Sequence, residues 1–85
     1  MSGEERKCPM GFIYAIASCS RAIELNPRNA EAYYCRAKAK YALGRYESAV
    51  EDYDRVIELS PENVDAYAER GLAKGRIGIA GHGKS

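Results

Sequence analysis

The chain has no tryptophan, one phenylalanine and one histidine among its 85 residues. Its charge is nearly balanced, with 13 Lys and Arg against 12 Asp and Glu, for a net charge of +1. Each scarcity excludes a class of function. Without a basic excess there is little to neutralise a phosphate backbone, so nucleic acid is not an expected partner. No apolar run approaches the ~20 residues that cross a bilayer, so no membrane span is expected. No charged-then-apolar leader opens the chain, so a cytoplasmic setting is expected rather than secretion. Cys8, Cys19 and Cys35 are odd in number, share no metal-ligand spacing and lie far from His82 in sequence. They read as ordinary thiols in a reducing compartment, with no metal and no cofactor called for. With His82 alone near the end of the chain, no nucleophile–base–orienter set is visible, and the chain is not expected to be an enzyme. A chain of this size buries only about 60% of the surface its unfolded form exposes, which leaves little room for a catalytic cleft.

What the chain does have is a repeat. Ala22–Tyr33 reads Ala-Ile-Glu-Leu-Asn-Pro-Arg-Asn-Ala-Glu-Ala-Tyr, and Val56–Tyr67 reads Val-Ile-Glu-Leu-Ser-Pro-Glu-Asn-Val-Asp-Ala-Tyr, 34 positions later. A period of 34 is that of a helix–turn–helix unit. Met1–Gly11 reads as a loose leader. From Phe12 the apolar residues Phe12, Ala15, Ile16, Cys19, Ala22 and Ile23 recur at helical spacing, so a first helix carries one apolar face. It should end near Leu25, because Asn26-Pro27 disfavours continuation. Asn29 can cap a second helix from about Ala30 to Leu43. Gly44 stops that helix where a left-handed residue is needed. A third helix is expected from about Tyr46 to Leu59, with Tyr46, Ala49, Val50, Tyr53, Val56 and Ile57 inward and Glu51, Asp52, Asp54 and Arg55 toward water. Ser60-Pro61 ends it, and Asn63 caps a fourth helix from about Val64 to Ile77. Gly75, Gly78, Gly81 and Gly83 then argue against further helix, so residues 79–85 read as a flexible, glycine-rich tail. The fold class is therefore all-α: about four helices in a solenoid, one full repeat with half a repeat on each side.

These residues resemble the tetratricopeptide repeat. The complete copy spans Ala30–Asn63, with Tyr33 at the aromatic site, Ala37 at the small site and Gly44 at the turn. It continues with Tyr46, Ala49 at the tightest crossing, Tyr53 at the second aromatic site and Pro61 near the end; Tyr67 opens the next copy. Arg36 stands where Leu is usual and Val56 where Ala is usual. The resemblance, which covers residues 12 to 78, implies paired antiparallel helices stacked into a right-handed superhelix. The first helix of each pair would line a concave groove for a peptide or an extended protein segment. The groove positions would be Glu31, Tyr34, Cys35, Lys38, Tyr41 and Ala42, then Asp65, Ala68, Glu69, Leu72 and Arg76. Some members clamp a C-terminal carboxylate, but Cys35 and Glu69 occupy clamp sites here, and Glu69 with Asp65 would repel a carboxylate. Lys38 with Tyr34 and Tyr41 would suit an acidic or aromatic peptide instead.

Two further features stand apart from the groove. Gly78-Ile79-Ala80-Gly81-His82-Gly83-Lys84-Ser85 matches the phosphate-loop pattern Gly-x4-Gly-Lys-Ser. A working phosphate loop needs a strand before it and a helix after it, and here a helix precedes it. Half-repeats at each end would leave terminal helix faces, among them Phe12, Ile13 and Ile16, partly uncovered, which suits a longer array, self-association, or the leader folding back over the first helix.

Overall fold

The computed structural model describes residues 9–81, with side chains from 11 to 78. Four α-helices follow one another: α1 (Pro9–Leu25), α2 (Ala30–Ala42), α3 (Tyr46–Leu59) and α4 (Val64–Gly81). The described residues contain no strand. Each helix packs on its sequence neighbour, α1 on α2, α2 on α3 and α3 on α4. Short connections between antiparallel helices produce this arrangement directly.

The turns carry local chemistry that ends one helix and starts the next. After α1, the Asn26 side chain accepts from the Arg28 N–H at 3.1 Å. Asn29 then caps α2, its side-chain oxygen accepting the Ala32 N–H at 3.1 Å. This satisfies a backbone donor that the first helical turn leaves without a partner. The repeat uses the same device 34 residues on, where the Asn63 side chain accepts from the Ala66 N–H at 3.0 Å. Between α2 and α3 the geometry differs. Gly44 takes φ +84°, and the Arg45 N–H donates to the Lys40 carbonyl at 2.8 Å while the Gly44 N–H donates to the Tyr41 carbonyl at 3.0 Å. These paired bonds make a Schellman motif, whose left-handed position glycine occupies at least steric cost.

The core alternates very small and large side chains. Tyr33, Ala37, Ala49, Tyr53, Val56, Ala66 and Ala73 form its buried cluster. The four alanines let the helix backbones approach closely, at the short end of the usual ~8–10 Å axial spacing. Tyr53 and Val56 fill the space between, and both are fully buried.

Three differences from the sequence expectation stand out. First, α1 begins at Pro9 rather than at Phe12. Proline is tolerated in a first helical turn because the N–H it lacks would have had no partner there. Second, α4 continues through Gly75 and Gly78 to Gly81 instead of stopping near Ile77. Glycine costs ~1 kcal/mol per residue in a helix interior, but Ala73 is fully buried and Ile77 half-buried, so packing carries the helix past that cost. Third, Asp52 does not face water. It is 4% exposed, at the α2–α3 interface.

Asp52 is buried because two cations hold it. The Arg36 guanidinium donates to both of its carboxylate oxygens, each at 2.8 Å, and Lys40 Nζ lies 3.0 Å from Oδ2. Arg36 also donates to Ser20 Oγ at 3.0 Å, and Lys40 donates to Ser48 Oγ at 2.8 Å. One cluster therefore ties α1, α2 and α3 together. The hydrogen bonds that Arg36 donates to Asp52 are the first cause of the upward shift of the Arg36 pKa. Arg36 occupies a site where the family pattern favours an apolar residue, and the charge persists there because its fork finds a fully matched acceptor. Arg70, one repeat later, donates to Asp54 Oδ1 at 2.7 Å just as Arg36 reaches Ser20, but that acid is half-exposed.

Candidate functional site

The groove positions on α2 and α4 come together along one face. The Tyr34 hydroxyl donates to Glu69 Oε2 at 2.9 Å, and the Tyr53 hydroxyl donates to Glu69 Oε1 at 2.8 Å. Further along, Arg76 Nε donates to the Tyr41 hydroxyl at 3.3 Å. Tyr34 and Glu69 are 35 residues apart, as are Tyr41 and Arg76, so the same stagger between α2 and α4 places both pairs. The wall between them is aromatic. Tyr34 meets Tyr53 edge-on, with centroids 6.1 Å apart, and Tyr41 meets Tyr46 edge-on at 5.1 Å. Such edge-to-face packing holds each ring against the helix behind it.

Glu69 is not the bare, repelling carboxylate that its sequence position suggests. Both oxygens accept from tyrosine hydroxyls, so its lone pairs are partly committed within the protein. The tyrosines pay for this in acidity. Burial, and then the bond to Glu69, push the Tyr34 hydroxyl up to about 12, and the same two causes raise Tyr53 well above the ordinary phenol range. Both phenols therefore stay protonated as donors throughout the neutral range.

Lys38 extends over the Tyr34 ring, with Nζ 5.3 Å from its centroid. Among the described residues no carboxylate pairs with Lys38 or with Arg76. Lys38 sits between two hollows. One, of about 180 Å³, is lined by Lys38, Tyr41, Tyr53, Glu69 and Leu72. The other, of about 500 Å³, is lined by Phe12, Ala15, Tyr34, Cys35, Lys38, Ala39 and Ala42. Each has an apolar wall and few polar groups, the usual composition of a recognition surface. Leu72 is exposed beside the smaller hollow, and Phe12 borders the larger.

The remaining positions divide cleanly. Glu31 and Asp65 are exposed, each in the first turn of its helix, where negative charge suits the helix dipole. Neither has a side-chain bond to the tyrosine wall. Cys35 is exposed, and Cys19 behind it is buried. Of the repeat-core positions, Tyr33, Ala37, Ala49 and Tyr53 are buried, Tyr46 is half-buried, and Gly44 and Pro61 lie in turns. Tyr67 departs from its counterpart. Tyr33 is 7% exposed and Tyr67 is 44% exposed. The Arg36 and Arg55 guanidinium groups both lie over the Tyr33 ring, whereas among the described residues Tyr67 meets Arg70 alone in this way.

The terminal Gly-x4-Gly-Lys-Ser match takes a different form from a phosphate loop. Its first four residues, 78–81, belong to α4. A helical residue directs its N–H along the helix axis toward the carbonyl four residues back, not toward a bound phosphate. Lys84 and Ser85, with His82, lie outside the described residues. Among the described residues no group of three or more His, Cys, Asp or Glu could hold a metal ion, and no helix is long and apolar enough to cross a membrane.

Two residues of the arrangement escape a reading of each helix alone. Asp52 shares a helix face with charged neighbours but serves Arg36 and Lys40 on the facing helix. Glu69 joins Tyr34 to Tyr53, which belong to two different helices. A mid-helix arginine recurring at positions 36 and 70 is the available signal that an acid lies opposite on the facing helix, Asp52 for Arg36 and Asp54 for Arg70.

The sequence profile of the TPR repeat family matches residues 14–44 and 37–78. Serine/threonine-protein phosphatase 5 from Homo sapiens is 42% identical to the chain over 41 residues, and the proteins of that name from Rattus norvegicus and Mus musculus match to the same extent. The aligned segment is 48% of this chain and 8% of each phosphatase, so the chain spans less than a tenth of the length of these curated relatives. TPR repeats generally act as protein–protein interaction modules. The two matched segments, the 34-residue period and the four stacked helices agree, and the chain belongs to the tetratricopeptide-repeat family.

Proposed function

We propose that this chain is a protein-interaction segment that holds a peptide or an extended protein segment along the face shared by α2 and α4. The observation that carries this reading is the placement of Lys38. It lies over Tyr34 and borders both apolar hollows, with no carboxylate partner among the described residues. An apolar side chain of the ligand would enter the smaller hollow against Tyr41, Tyr53 and Leu72. An acidic side chain one or two positions away would meet Lys38, with Arg76 as a second cation further along. Because Glu69 is held by two phenols, it would orient the tyrosine wall instead of confronting the ligand directly. Glu31 and Asp65 would border the site and disfavour strongly acidic peptides, so one acidic residue among apolar neighbours suits the surface best. No step of catalysis is assigned, and the family resemblance supports a binding role. A cytoplasmic location remains part of this proposal.

The test is selection of peptides from a randomised display library on the immobilised 85-residue chain, followed by NMR titration of the strongest binder. Backbone amide shifts are expected at 34–42 and 65–76, and Lys38→Glu should weaken binding at least tenfold without altering the spectrum of the core. Shifts confined to the α1 and α3 surfaces remote from Lys38 would overturn the assignment.

A further inference from the structure

The Tyr53–Glu69 contact has a counterpart one repeat earlier, and there the chemistry changes. The residues 34 positions before Tyr53 and Glu69 are Cys19 and Cys35. Tyr53 on α3 reaches Glu69 on α4 at 2.8 Å. Cys19 on α1 correspondingly faces Cys35 on α2, and the residues that follow them in sequence, Ser20 and Arg36, are hydrogen-bonded across the same pair of helices at 3.0 Å. Cys35 lies in the wall of the larger hollow together with Phe12 and Ala15 of α1. Cys19 follows Ala15 by one turn on the same helix face. One thiol is buried and the other exposed.

We propose that Cys19 and Cys35 are a redox-active pair that closes into a reversible disulfide between α1 and α2. The exposed thiol begins the exchange. Cys35, as the thiolate, attacks one sulfur of a low-molecular-weight disulfide, breaking its S–S bond and releasing one thiolate. Cys19 gives its proton to solvent base, and its sulfur attacks Cys35 Sγ in the mixed disulfide, releasing the second thiolate. The protein pair loses two electrons, the reagent gains them, and a dithiol reductant reverses both steps. Burial, with further contributions from Cys35, pushes the Cys19 thiol up to about 11, which suits it to the second step, in which the reacting sulfur is already adjacent, and not to attack on reagent in solution. The bond would join two helices across the α1–α2 turn. Loop closure of this length restricts the unfolded chain strongly.

The experiment uses the 85-residue chain with Cys8→Ser, so that Cys19 and Cys35 are the only thiols. It is equilibrated, folded, in buffers of graded oxidised-to-reduced glutathione ratio, quenched with acid and digested with trypsin. A linked pair of peptides, one holding Cys19 and the other Cys35, is expected, together with a melting temperature higher by about 10 °C that dithiothreitol restores to its starting value. Cys35→Ser should remove both the linkage and the temperature shift while melting like the reduced chain, because Cys35 is exposed. That variant keeps the test valid even where Cys19→Ser unfolds the protein. Accumulation of only a glutathione adduct on Cys35, linkage only in denaturant, or linkage only between two chains would each overturn the proposal.

Discussion

Replacing Asp52 with alanine removes the one anion from a cluster with two cations. The Asp52 side chain is 5% exposed, and its partners Arg36 and Lys40 are 21% and 14% exposed. In the variant, two like charges would remain close together with only Ser20 and Ser48 as neutral acceptors. Breaking a buried ion pair by removing one partner costs about 3–5 kcal/mol. Arg36 keeps some access to water and can swing outward, so the lower end, about 3 kcal/mol, is expected. For a chain of this length the whole folding free energy is on the order of 4–13 kcal/mol, so one carboxylate accounts for a large share. Urea unfolding followed by far-ultraviolet circular dichroism measures the loss by linear extrapolation. A companion variant separates charge from shape. Asp52→Leu combined with Arg36→Leu and Lys40→Met removes all three charges and keeps most of the volume, and it should recover most of the lost stability. A cost below about 1 kcal/mol for Asp52→Ala would refute the claim that this charge is buried and indispensable. A triple variant as unstable as the single one would show that packing, not electrostatics, sets the cost.

The tyrosine wall should make the fold sensitive to alkali. Tyr34 is raised to about 12 from 10.0 and Cys19 to about 11 from 9.0, and Tyr53 is raised further. The folded state disfavours their ionised forms, so their contribution is intact below pH 9 and is lost as the unfolded chain ionises first, between about 9 and 12. Melting temperature against pH should fall across that window, and Tyr53→Phe should flatten the fall. A flat profile from pH 8 to 11.5 would contradict this linkage. Gly75→Ala and Gly78→Ala should each stabilise the chain by about 0.5–1 kcal/mol, because both are helical and an added Cβ would meet nothing within 4 Å. Gly44→Ala should instead destabilise by about 1–2 kcal/mol, a cost set by left-handed backbone, since φ there is +84° and space is open. Thermal melts of the three variants check the difference in sign. Ala49→Leu should cost about 1–3 kcal/mol by overpacking, since Ala49 is wholly buried between helices, and a melting temperature within a degree of the parent would count against the tight crossing.

The limits of a helix-by-helix reading are visible in particular residues. Asn-Pro and Ser-Pro punctuation marks both turns of the repeat, and the span of α3, Tyr46–Leu59, follows from its apolar stripe and its flanking glycine and proline signals. The end of α4 does not follow, because propensity counts the cost of Gly75 and Gly78 but not the burial of Ala73 in the core cluster. Asp52 is misplaced for a related reason. A 3.6-residue period tells which side of one helix faces inward, and Asp52 sits beside Ala49 and Tyr53 at the margin of that side, where only a facing cation decides whether the carboxylate goes in or out. The deciding relation runs across the hairpin, and it has a period of its own. Ser20 with Arg36, Arg36 with Asp52, Asp54 with Arg70, and Tyr53 with Glu69 are all hydrogen-bonded pairs 16 residues apart. Helix length and turn length in a 34-residue unit place residues at this offset opposite one another, whichever of the two helices comes first. A search of the sequence for complementary side chains at i and i+16 therefore finds the buried ion pair and the tyrosine–glutamate bond, which no helical wheel can find. The same search finds Cys19 and Cys35, where the contact that holds the neighbouring hairpin by a hydrogen bond can instead be made covalently.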